Sequence, residues 1–155
     1  MSQPTFNQDK YCEMLHYIIS KVGCKPNVGK TVLFKLLYFS DFDYYEKYEE
    51  FLSGEAYRKI EHGPAPCHFD DFILKLSNDG LISCQCRDYH NKKQNKYESL
   101  AEPSVQYLSA RELEEINKVL DKYSELSAKQ ISGLSHNDMP YEATDDKDII
   151  DYDLV

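Results

Sequence analysis

The chain has 155 residues, 41% of them hydrophobic and 13% aromatic. That is the size and apolar content of one folded domain, and it excludes a largely disordered chain. The formal net charge is −9, which opposes nucleic acid or an anionic membrane as main partner, since both are bound through basic surface.

The first predicted helix is marked by Tyr11, Met14, Leu15, Ile18, Ile19 and Val22, which recur with helical spacing. Asn7 is its expected N-cap and Gly23 its stop. A second helix is predicted from about Val28 to Tyr48. It carries an inner stripe through Val32, Leu33, Leu36, Leu37, Ser40 and Tyr44 and a second apolar face through Phe34, Tyr38, Phe42 and Tyr45. A helix apolar on two sides belongs at the centre of its domain. Asp41 falls between the stripes, so its carboxylate requires a specific partner.

Glu55–Glu61 reads as a short strand, and His62-Gly63-Pro64-Ala65-Pro66 as a rigid turn. A third helix is expected to start near Pro66 and to bury Phe69, Phe72, Ile73 and Leu76. A hairpin follows, with strands over Leu81–Cys86 and Lys96–Leu100 and a loop over Arg87–Asn95. Helix followed by hairpin gives the middle of the chain a winged-helix-like pattern.

Two capping boxes open the last helices, Ser109 with Glu112 and Ser127 with Gln130. Leu113, Ile116, Leu120 and Tyr123 line the core side of the first, Ile131 and Leu134 that of the second. From Asp138 to Val155 there are seven acids against one base, Lys147, so this stretch carries −6 and the rest of the chain −3. Residues 142–155 form an acidic C-terminal segment, either docked or partly ordered. Its charge is either a solubilising surface or the complement of a basic protein partner.

No metal or cofactor is expected. Val28-Gly29-Lys30-Thr31 lacks both the spacing and the preceding strand of a phosphate-binding loop. Cys84-Gln85-Cys86 supplies two thiols where zinc takes four ligands, so buried structural cysteines are the simpler reading. No N-terminal stretch joins a basic region to a long apolar run, so no signal peptide is expected, and no apolar run approaches the roughly 18 residues of a membrane span. A cytoplasmic location follows, with Cys12, Cys24, Cys67, Cys84 and Cys86 reduced. Cys67 and His68 are adjacent, but helical neighbours point apart, so no catalytic pair is expected. Arg87, Lys92, Lys93 and Lys96 make one basic loop that could touch a phosphate backbone. The thirteen tyrosines supply rigid contact area suited to interfaces.

Several short elements carry a resemblance. Lys35-Leu36-Leu37-Tyr38-Phe39-Ser40-Asp41, Ser53-Gly54-Glu55-Ala56-Tyr57 and Gly63-Pro64-Ala65-Pro66 occur in that order. Leu108-Ser109 with Glu112, then Leu134-Ser135-His136 and Pro140, complete the set. Together, over about Tyr11 to Tyr152, they resemble the SocA-like (Panacea) antitoxins of bacterial and phage toxin–antitoxin systems. The chain departs from that pattern in having Pro140-Tyr141 where the family often has Pro-Trp, and it shows no appended helix-turn-helix segment.

The resemblance implies a non-enzymatic antitoxin that neutralises a cognate protein toxin by direct contact. An alternative is a proteolytic adaptor that delivers the toxin to a cytoplasmic protease; a third is a DNA-contacting regulator acting through residues 87–96. It implies structural roles for Tyr38, Asp41, Gly54, Tyr57, Gly63, Pro64, Pro66, His136 and Pro140, with Asp41 and His136 hydrogen-bonded inside the core. Partner contact is expected from Tyr44, Tyr45, Tyr48 and Tyr89 and from Asp145, Asp146, Asp148 and Asp151. The expected fold is a mainly helical α+β domain spanning 1–155, with five to six helices and a small antiparallel sheet.

Overall fold

The computed structural model describes residues 4–155. Helix α1 (Gln8–Val22) starts where the Asn7 side chain accepts the Lys10 N–H at 3.1 Å. All six of its predicted apolar positions are buried. Helix α2 (Lys30–Tyr48) buries Val32, Leu33, Leu36 and Leu37 together with Tyr38, Phe39 and Phe42. Because both sides are apolar, it is the element around which the others pack. Glu49 ends it in the left-handed region, at φ 53°.

Strand β1 (Tyr57–Ile60) pairs antiparallel with β2 (Gly63–Pro66), with Tyr57 opposite Pro66 and Lys59 opposite Pro64. The expected rigid turn at Gly63–Pro66 is therefore a strand, and Glu61-His62 makes the turn. Proline normally breaks a ladder because it lacks an N–H. The neighbouring bond from Cys67 N–H to the Ala56 carbonyl, at 2.9 Å, sets the alternation. Pro64 and Pro66 fall where no N–H would point at β1, so nothing is lost. With Pro66 held in the strand, α3 (Phe69–Asn78) begins three residues later than expected.

Strands β3 (Ile82–Tyr89) and β4 (Lys92–Ser99) pair over their whole length. The expected nine-residue loop is thus mostly hairpin. His90 and Asn91, at φ 49° and 62°, make the two-residue turn, the backbone that suits a twisted hairpin. The outer half projects into solvent and is polar on both faces, so it lacks the alternation that marks a strand.

Helices α4 (Ala110–Tyr123) and α5 (Ala128–His136) each carry their complete capping box. Short α5 buries Ile131 and Ser135; Leu134, expected inside, is exposed because so narrow a contact face ends beside it. A one-turn helix α6 (Met139–Glu142) leads into the tail, which ends in a 3-10 turn at Tyr152–Leu154. The architecture is a single α+β domain, mainly helical. Among the described residues no helix is long and apolar enough to cross a membrane.

The acidic tail is docked. Lys59 N–H bonds the Asp148 carbonyl at 2.9 Å, and Lys147 and Ile150 N–H groups bond the Lys59 and Tyr57 carbonyls at 2.8 Å. The tail thereby lies along the free edge of β1. Ile150 and Tyr152 are buried, and the Tyr152 ring stacks on Phe42 at 4.1 Å.

Candidate functional site

Asp41 is fully buried on α2 and is met entirely by donors. Ser53 gives its N–H at 2.9 Å and its hydroxyl at 2.7 and 2.8 Å, and the Tyr57 hydroxyl donates at 2.5 Å. Burial pushes the Asp41 pKa up to about 7 despite these bonds. Glu55 is equally buried and accepts the Ala56 N–H at 2.7 Å, the His68 N–H at 2.8 Å and His68 Nδ1 at 2.6 Å. The Tyr152 hydroxyl donates to the Glu55 carbonyl at 2.7 Å. The Tyr11 hydroxyl is buried without a well-formed hydrogen bond; burial first, then the Glu55 and Asp41 charges, hold its proton on.

A second polar knot ties β2 to α2 and α5. Lys35 is fully buried, and its ammonium donates to the Pro64 carbonyl at 3.0 Å. Burial lowers its pKa to about 7. Gly63 sits against it at φ +113°; a Cβ there would lie 2.5 Å from Lys35 Cε and 2.6 Å from Ser135 Oγ. Gly54, at φ +72°, leaves no room either, since a Cβ would lie 2.2 Å from the Thr5 carbonyl oxygen. Only glycine combines such backbone angles with such close approach. The Tyr38 hydroxyl donates to Asp138 at 2.5 Å and the Tyr141 hydroxyl to the Ile60 carbonyl at 2.7 Å. Pro140 is buried, and its carbonyl accepts the Thr144 hydroxyl at 2.7 Å.

The structure thus brings Tyr38, Asp41, Gly54, Tyr57, Gly63, Pro64, Pro66 and Pro140 together in the interior. His136 departs from expectation. It is exposed, and its ring stacks on Tyr141 at 4.9 Å, because it is the last residue of α5, where the helix leaves the core. A family model described as antitoxin SocA-like, Panacea domain, matches residues 33–142. The chain belongs to this family. No curated protein and no solved structure matches it.

Around this Panacea core the contact candidates divide. Tyr45, Tyr48 and Tyr89 are half-buried, while Tyr44 is buried and offers no free face. Tyr44 packs on Tyr48 at 4.8 Å, and its hydroxyl accepts from Arg111 Nε at 3.1 Å, since α4 crosses α2 there. Asp145, Asp146, Asp148 and Asp151 are all exposed, on a tail whose backbone is held in place. Asp153 accepts from the Tyr45 hydroxyl, a bond that raises the Tyr45 pKa to about 12.

The basic run on the hairpin is less available than it reads. Lys96 is buried and donates to the Lys25 and Val28 carbonyls at 2.5 and 2.8 Å, and Lys93 pairs with Asp88 at 2.7 Å. Cys24, Cys67, Cys84 and Cys86 are exposed and Cys12 is half-buried, which corrects the expectation of buried thiols. Cys84 lies opposite Tyr97 and Cys86 opposite Asn95, where the hairpin leaves the cover of α3.

Sequence reasoning missed Glu13. This residue of α1 is 7% exposed, and its carboxylate accepts four bonds from the connection between β4 and α4. The donors are the Ser104 hydroxyl at 2.8 Å and the N–H groups of Gln106, Tyr107 and Leu108 at 3.1, 2.8 and 3.2 Å. The signal available was an acid inside the apolar stripe of α1, beside Met14.

Proposed function

We propose that this Panacea domain is an antitoxin that neutralises a protein toxin by binding it directly. Membership of the SocA-like antitoxin family carries the proposal. The distribution of chemistry supports it. The motif carboxylates are enclosed and saturated with donors, so their polar capacity is spent on the fold. The free charge lies outside, on the docked tail, where exposed Asp145, Asp146, Asp148 and Asp151 form a fixed acidic surface. A surface of this kind complements a basic partner and accelerates encounter with it.

The test is expression of the neighbouring open reading frame with and without this chain. Growth arrest relieved by co-expression, and a stoichiometric complex of the two purified proteins, are the expected results. Growth arrest that co-expression leaves unchanged would refute the antitoxin role. Truncation cannot probe the acidic surface cleanly, because it removes Ile150 and Tyr152 from the core. Changing Asp145, Asp146 and Asp148 to Asn keeps the fold and removes the charge. That variant should associate with the toxin more slowly and show a flatter salt dependence.

A further inference from the structure

Residues 100–108 have neither helix nor strand, yet they are not loosely held. Besides the four bonds to Glu13, the Ser99 hydroxyl donates to the Ala101 carbonyl at 2.8 Å and lies 2.9 Å from His16 Nε2. Leu108 turns its side chain into the core, while the apolar side chains before it stay outside. Leu100, Val105 and Tyr107 are 55%, 38% and 50% exposed. Beside Tyr107 opens a groove of about 360 Å³, lined by Phe51 and Leu108 and by the Lys10–Glu112 and Arg111–Glu50 ion pairs. Phe51 also packs on Tyr45 at 4.9 Å and on Tyr152 at 5.1 Å. Phe51 thus links the groove to Tyr45, whose hydroxyl donates to Asp153 of the acidic tail.

We propose that the exposed apolar side chains of this pinned connection, with Tyr107 at the rim of the groove, are the anchor site for the toxin, which rests on the antitoxin role proposed above. The occupant it fits is a folded protein presenting an aromatic or aliphatic knob ringed by lysine or arginine. The apolar part answers to Val105, Tyr107 and Phe51. The basic ring answers to Glu98 and Glu102, which lie in or next to the connection, are exposed and enter no ion pair among the described residues, and to Asp153, which accepts from the Tyr45 hydroxyl beside Phe51. A rigid loop loses little conformational freedom on binding, so its contact area converts into affinity more fully than that of a mobile one. Tyrosine held half-exposed beside a groove is a typical hot-spot residue.

The probe is the purified product of the neighbouring open reading frame, titrated against wild type and three variants whose melting temperatures and circular dichroism are recorded. The double change Val105→Ser and Tyr107→Ser touches only exposed side chains and should weaken binding about 30-fold or more, the loss that marks a hot spot. Glu13→Gln, which frees the loop while leaving its surface chemistry intact, should weaken it about 10-fold. Met139→Ser, at an exposed apolar residue on α6, should leave it within about twofold. Wild-type affinity in the folded double variant overturns the anchor site and leaves the antitoxin role standing. Failure of the wild-type chain itself to bind overturns both.

Discussion

Replacing Asp41 by Asn should remove a pH dependence of stability. Asp41 is fully buried, and its pKa in the fold is about 7 against the usual 3.8, chiefly because burial disfavours the charged form. Between these values the folded chain keeps a proton that the unfolded chain releases. Raising the pH through that window therefore favours the unfolded state. The contribution is fully present below about pH 4 and lost by about pH 7. At about 1.4 kcal/mol for each pH unit, the interval amounts to about 4 kcal/mol. The Tyr57 and Ser53 bonds hold the loss to this size, since without them the carboxylate would ionise later still.

Asn is close in shape, accepts through its oxygen and can donate to Ser53 Oγ. The Asp41→Asn variant should then keep the fold and show a flatter profile. Urea unfolding of both proteins at intervals from pH 4 to pH 8 gives the comparison. Wild type should lose on the order of 4 kcal/mol more than the variant across that range. Other acids, including half-buried Asp43, whose pKa burial also raises to about 7, affect both proteins alike and cancel in the difference. Parallel profiles would show that Asp41 stays ionised throughout, and the account of its environment would be wrong.

Gly63→Ala should cost at least about 2 kcal/mol in urea unfolding, because its φ of +113° and its contacts with Lys35 and Ser135 leave no relaxed alternative. Lys35→Met should gain on wild type as the pH falls from 10.5 to about 7. In that window the unfolded chain holds a proton that the buried amine rejects, so wild type loses stability as the solution becomes more acidic and the variant does not; denaturant melts at the two ends measure this. Tyr152→Ala removes a ring stacked on Phe42 and a bond to the Glu55 carbonyl. It should cost about 3–5 kcal/mol, as for other large buried rings, and hydrogen exchange should show residues 143–155 opening before the rest.

Most of the architecture follows from local pattern. The stripes of α1 and α2, the capping boxes at Ser109 and Ser127 and the isolation of Asp41 inside an apolar helix are properties of neighbours in the chain. These make the helical framework and the buried carboxylate readable from the amino-acid order alone, because helix periodicity and capping act over only three or four residues. The tertiary structure decided what depends on residues far apart. Pro64 and Pro66 lie in a strand because β1 meets them at positions that need no N–H. His136 is exposed because α5 ends there. The acidic tail is docked because Tyr152 finds a slot against Phe42, about a hundred residues away in the chain. Glu13 acquires its role only when residues 104–108 fold back over α1, a long-range approach that no local pattern encodes.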